Sequence, residues 1–208
     1  MTFQTVIDNA QTISINKRRK VSVTASRDGT VKTLSLGAQP WTFEVKMPDG
    51  PAWTTMRPLV ERLEYLDRTT VGSIQINKTA HSWITGYQGN LSNPNGITVL
   101  HSTTNSNTLT IVDGAGGLSA GKYRFRAGDL IQVGSTGSVY SVAADVPFNG
   151  TTITTHRPIR ESTTSTPYTL LVGQNVTWNV ICTSFPQWSL VSRNQIAWSG
   201  PFVFVEAL

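Results

Sequence analysis

The chain has 208 residues, 38% of them apolar and only 14% charged, with 17 Lys+Arg against 12 Asp+Glu for a net charge of +5. That length supports one large domain or two small ones around a real hydrophobic core. Six Trp and a low charge content exclude a disordered chain and suit a β protein with a polar, weakly ionic surface.

The first segment alternates. Thr12-Ile13-Ser14-Ile15 leads into the basic run Lys17-Arg18-Arg19-Lys20, and Val21-Ser22-Val23-Thr24 alternates again. Arg27-Asp28-Gly29-Thr30 predicts a tight turn, because Asp-Gly tolerates the positive φ that such turns need. Thr33-Leu34-Ser35-Leu36 forms the return strand. Trp41-Thr42-Phe43-Glu44-Val45-Lys46-Met47 is the cleanest strand of the chain, apolar on one face and polar on the other. Met56, Leu59, Val60, Leu63 and Leu66 then recur at spacings of three and four, predicting one amphipathic helix over 55–68. Thr54 or Thr55 is expected to cap it, Pro58 to fall in its first turn, and Glu64 to pair with Arg68.

Residues 71–76 and 82–84 read as further strands. Asn, Ser, Gly and Thr dominate 89–107, after which short strands are expected at 108–112, 122–126, 130–133, 139–142 and 152–155, the spacing of a small sandwich or barrel. A second polar stretch covers 161–167, and long apolar strands follow at 168–172, 176–182 and 201–207. The fold class is therefore mainly β, a β-sandwich or barrel with one amphipathic helix. The two polar stretches suggest an insertion: one domain from 1–88 and 172–208, and a smaller β domain over 89–171. Of the charge excess, 11 basic and 7 acidic residues lie in 1–88, so basicity is an N-terminal property.

Few residues invite chemistry. Gly116-Gly117-Leu118-Ser119-Ala120-Gly121-Lys122 has the spacing of a phosphate-binding loop. Tyr123 stands where a hydroxyl should reach Mg²⁺, however, and the alternating Tyr123-Arg124-Phe125-Arg126 predicts a strand where phosphate binding needs a helix N-terminus. His81, His101 and His156 sit in separate segments without metal-ligand spacing, and Cys182 lies in an apolar strand, which predicts a buried thiol. One cysteine permits no internal disulfide. The expectation is a non-enzyme with no catalytic, cofactor or metal residues. The start of the chain shows no charged leader with an apolar block, and no apolar stretch nears the roughly 20 residues of a membrane span, so synthesis in a cytoplasm is expected.

Two features suggest surfaces. Lys17, Arg18, Arg19 and Lys20 read as a solvated hairpin tip, a contact with an acidic neighbouring subunit, or a contact with DNA phosphates. Trp53 and Trp188 lie near Pro51 and Pro186 and are candidate exposed anchors, for a protein partner or a sugar. Trp41, Trp178 and Trp198 are expected in the core.

The N-terminal layout resembles the tail-tube-like fold of bacteriophage tails, found in tube, distal tail and baseplate hub proteins. The residues that carry the resemblance are Arg27-Asp28-Gly29 in a hairpin, the strand from Gln39-Pro40-Trp41 to Met47-Pro48, the helix ending at Leu66-Asp67-Arg68, and the closing Phe202-Val203-Phe204-Val205-Glu206. The resemblance implies a structural virion component made in the host cytoplasm, whose copies form a ring at the baseplate or distal end of the tail tube. Its partners would be copies of itself and other tail proteins, with DNA nearby in the tail lumen. The insertion departs from a plain tube protein. The alternatives are a β-sandwich module recognising cell-surface glycan and, less supported by the residues, a hydrolase on a β scaffold.

Overall fold

In the computed structural model, alternating sequence becomes strand and three-to-four spacing becomes helix, as side-chain periodicity requires. The structure describes all residues except 1, 20, 36–38, 67, 79, 102–105, 114–117, 135–136 and 162. In chain order the elements are α1 (Thr2–Asp8), β1 (Thr12–Asn16), β2 (Val21–Ala25), β3 (Val31–Ser35), β4 (Thr42–Lys46), α2 (Trp53–Tyr65), β5 (Gly72–Ile74), β6 (Thr98–His101), β7 (Thr108–Asp113), β8 (Tyr123–Phe125), β9 (Leu130–Val133), β10 (Val139–Ser141), β11 (Val146–Pro147), β12 (Thr152–Thr154), β13 (Thr163–Val172), β14 (Trp178–Ser184), β15 (Gln187–Val191), β16 (Gln195–Ser199) and β17 (Phe202–Glu206). Strand accounts for 43% of the chain and helix for 16%, so the protein is mainly β with one main helix. No helix among the described residues is long and apolar enough to cross a membrane.

The chain divides into two units: residues 1–72 with 179–208, and residues 73–178. The composition shifts near 89 and 171 both fall inside the second unit.

In the first unit, β1, β4, β17 and β14 lie in that order in one antiparallel sheet. One face of this sheet buries Phe43, Val45, Phe202, Phe204, Val180 and Cys182. Phe3, Val6 and Ile7 of α1 and Val60 and Leu63 of α2 are buried as well, and Phe3 meets Phe204 with ring centroids 5.3 Å apart. A Cβ at Gly72 would sit 2.3 Å from Cδ2 of Phe3, so a larger residue there would displace the Phe3 ring. Glu206 is buried too, and its Oε2 accepts the Trp41 backbone N–H at 3.1 Å. Two hairpins, β2–β3 and β15–β16, form separate two-stranded ladders.

In the second unit, six strands run in the order β10-β9-β13-β6-β7-β12. An isolated bridge between Val142 and Thr155 brings the two ends of this order together, as in a curled half-barrel. Ile97, Val99, Leu109, Phe125, Ile131, Tyr140, Ile153 and Leu170 fill its core. A short β8–β11 ladder lies beside it.

Several local expectations are corrected. Residues 82–84 belong to a 3-10 turn, Ser82–Thr85, not a strand. The helix starts at Trp53 and ends at Tyr65; Ala52 occupies its N-cap without a side-chain bond, so Pro58 falls beyond the first turn. Arg68 lies outside the helix at φ 59°, and Glu64 instead accepts the Trp188 Nε1–H at 3.3 Å. The polar stretches 89–107 and 161–167, for which no strand was expected, contain β6 and the first half of β13, because a ladder hydrogen-bonds the backbone whatever the side chains. The helix α1 and the hairpin β15–β16 were not expected from the sequence.

Candidate assembly surface

Asp28 builds the turn of the β2–β3 hairpin. Its Oδ1 accepts the Thr30 N–H at 3.1 Å and the Ser26 hydroxyl, and Gly29 takes φ 83°. Five residue pairs follow in register, from Ala25↔Val31 to Val21↔Ser35. Alternation puts Val21, Val23, Ala25 and Val31 on one face of the ribbon, and Ser22, Thr24, Lys32 and Leu34 on the other. Neither face is covered: β2 is exposed at every position, and Val23, Val31 and Leu34 are 61%, 61% and 68% exposed. Among the described residues no third strand joins the ladder.

The root of this arm is fixed. The half-buried Lys17 places Nζ 5.3 Å from the centre of the buried Trp41 ring, and burial lowers its pKa from the ordinary value. The Gln39 amide donates to the Lys17 carbonyl at 2.5 Å, and the Arg18 N–H donates to Asn16 Oδ1 at 2.9 Å. Arg18 and Arg19 are exposed, and Lys20 lies outside the described residues. The described part of the basic run is thus at the root of the arm and not at a hairpin tip, which residues 26–30 form. One of its members is partly withdrawn against an aromatic ring, and two face solvent.

Trp53 and Trp188 meet each other. Their rings stack at 4.8 Å and 25°, both half-buried, where the start of α2 reaches β15. The neighbouring backbone explains the encounter: Trp53 N–H donates to Asn194 O at 2.8 Å, and Ala52 bridges Gln195. Arg193 and Asn194 turn this second hairpin at positive φ, and Leu190 and Val191 near its end are 54% and 45% exposed. Trp41, Trp178 and Trp198 are buried.

The residues weighed for chemistry lie apart or are braced. Cys182 is buried. The described part of the glycine-rich run leads into β8, a strand; residues 114–117, which include Gly116 and Gly117, lie outside the described residues. Among the described residues no three His, Cys, Asp or Glu side chains gather as a metal site. His101 and His156 both lie in the second unit, His156 Nδ1 accepting the Ser141 N–H at 3.0 Å. Sequence reasoning missed a polar cluster there. Tyr140 donates to Glu161 Oε2 at 2.5 Å, and the Arg157 guanidinium lies 5.1 Å from the Tyr140 ring centre. Burial, then the Glu161 carboxylate, pushes the phenol of Tyr140 well above its ordinary range. The neutral phenol donates its hydrogen bond to the Glu161 carboxylate, and the cluster ties β10 to the segment before β13. No local pattern signals it, since its members are spread over 140–161. No known protein family and no curated protein matches the chain.

Proposed function

We propose that this protein is a non-enzymatic structural component of a bacteriophage tail, whose copies form a ring at the baseplate or distal end of the tail tube. The observation that carries the assembly reading is the β2–β3 arm, hydrogen-bonded at its root and exposed along both faces. A lone two-stranded ribbon is marginal in water and presents open edges on which another chain can pair. Four aliphatic side chains exposed at 45% or more on one short ribbon are unusual for a surface with no partner. The tail setting is supported by the resemblance of the N-terminal layout, and the polar, weakly charged strands suit hydrogen-bonded contacts between copies. The glycan alternative has weaker support, because Trp53 and Trp188 each give one ring face to the other.

The test is sedimentation and electron microscopy of the full chain, with Val23→Asp/Val31→Asp as the variant. Both positions are already open to solvent, so the variant should melt within a few degrees of wild type. The expected result is closed oligomers for wild type and monomers for the variant. Wild-type protein that stays monomeric at every concentration, or a variant that assembles normally, overturns the reading.

A further inference from the structure

The net charge of the chain is carried by the arm and its root. Residues 17–35 hold six basic side chains (Lys17, Arg18, Arg19, Lys20, Arg27 and Lys32) and one acidic, Asp28, for +5. Subtracting these from 17 and 12 leaves 11 basic and 11 acidic residues elsewhere, a net of zero. Asp28 is engaged within its own turn, by Ser26 and Thr30. Among the described residues, no carboxylate forms an ion pair with Arg18, Arg19, Arg27 or Lys32. Arg18 and Arg19 at the root, Arg27 at the tip and Lys32 in the middle of the ribbon are therefore exposed, with no ion-paired carboxylate among the described residues.

We infer that the arm binds the phosphate backbone of nucleic acid. Strands of five residues extend about 16 Å at about 3.3 Å per residue, so the charges form a line and not a point. Duplex DNA offers about one negative charge per 1.7 Å of axis, a density that a line of uncompensated cations matches better than a single carboxylate does. The major groove, about 12 Å wide, admits a two-stranded β-ribbon. The arm carries no aromatic residue, so binding goes to phosphates and not to stacked bases, and is indifferent to sequence. The inference rests on the arm and its charge; it does not require the ring.

Fluorescence anisotropy tests it, with a labelled duplex of about 30 base pairs titrated with the full chain between about 50 and 300 mM salt. The expected result is binding that weakens linearly on a logarithmic salt scale. Arg18→Ala/Arg19→Ala removes two phosphate contacts from exposed positions and should flatten the slope by about 1.8, at about 0.9 per contact. Lys122→Ala/Arg160→Ala, a double variant of exposed cations outside the arm, should leave the slope unchanged. No binding at the lowest salt, or an unaltered slope in the arm variant, overturns the inference. Poly-L-glutamate that displaces the duplex at equal charge concentration overturns it too, and makes the arm's partner an acidic protein face. Oligomeric state measured on the same samples separates this result from the ring reading.

Discussion

Asp129→Ala should cost the second unit about 2–4 kcal/mol. The side chain is only 2% exposed, and its two oxygens hold two separate segments: Oδ1 accepts the Gln88 N–H at 2.8 Å, and Oδ2 the Arg126 N–H at 2.7 Å. Its backbone adds to the knot, donating to Arg126 O at 3.0 Å and accepting from Val142 N at 2.8 Å. Alanine leaves the backbone bonds and deletes both carboxylate acceptors. An N–H orphaned in a buried site costs about 1–3 kcal/mol. Gln88 is exposed and Arg126 half-buried, so water can reach both amides in part, and two such losses sum to the lower part of a range of about 2–6 kcal/mol. Asp129→Asn keeps one acceptor but turns a donor toward the other N–H, so it should lose at least half as much. Chemical unfolding gives the totals, and amide hydrogen exchange localises them, with protection falling first at Gln88 and Arg126. A loss below about 0.5 kcal/mol in the alanine variant, or unchanged exchange at both amides, refutes the view that this carboxylate joins the two segments.

Leu63 is 1% exposed on the buried side of α2, so Leu63→Ala should destabilise the first unit by about 2–5 kcal/mol in urea unfolding; under about 0.5 kcal/mol would mean the site collapses around the loss. Asp145 accepts the Ala127 N–H at 2.8 Å and faces Arg126 at 2.9 Å, and these hold its carboxyl below the ordinary range, the backbone bond first. A depressed folded pKa stabilises above the unfolded value of about 3.9 and loses that stabilisation as pH falls through the folded value. Asp145→Asn should therefore show a shallower acid limb in a plot of melting temperature against pH; parallel limbs would contradict the assignment.

Much of the first unit was legible because its signals are local. Phe43, Val45 and Met47 alternate with polar residues, and Val60 and Leu63 recur on one helical face; all five are buried. Asp28-Gly29 announced its turn for a reason the structure repeats, positive φ at Gly29. Misreadings followed where local pattern and tertiary demand part. Trp83-Ile84 is apolar enough for a strand but closes a 3-10 turn, with Trp83 75% exposed. The Thr/Ser run at the start of β13 has loop composition, yet β6 supplies its partner. Val21 and Val23 alternate just as core residues do, and periodicity cannot say whether anything lies opposite. Trp53 and Trp188 are far apart in sequence, so their stack could not be read from either neighbourhood. The basic run was legible as a run; that it forms the root of an uncovered arm was not.

The distribution of charge also bears on how copies could meet. Two arms pairing edge to edge would bring +5 against +5, with no carboxylate ion-paired to the exposed cations among the described residues. An arm meeting the rest of a neighbouring chain would bring +5 against a net of zero. Repulsion over a few ångströms between exposed like charges is modest for one pair, about 1 kcal/mol at 4 Å in bulk water, but it is repeated along the ribbon. It falls as salt shortens the screening length below about 10 Å. Arm-to-arm pairing, which joins like surfaces and stops at a dimer, is therefore disfavoured at low salt. Arm-to-body contact joins unlike surfaces, and a contact of that kind builds a ring when its rotation closes. On the assembly reading, the exposed aliphatic face of Val21, Val23 and Val31 would supply attraction that does not depend on salt, while Arg27 and Lys32 would direct it away from a second arm. The same charges guard an open ribbon against edge-to-edge aggregation, the hazard that exposed strand edges carry. On this argument the arm's apolar residues and its cations act together: the first make contact favourable, and the second decide which surface is met.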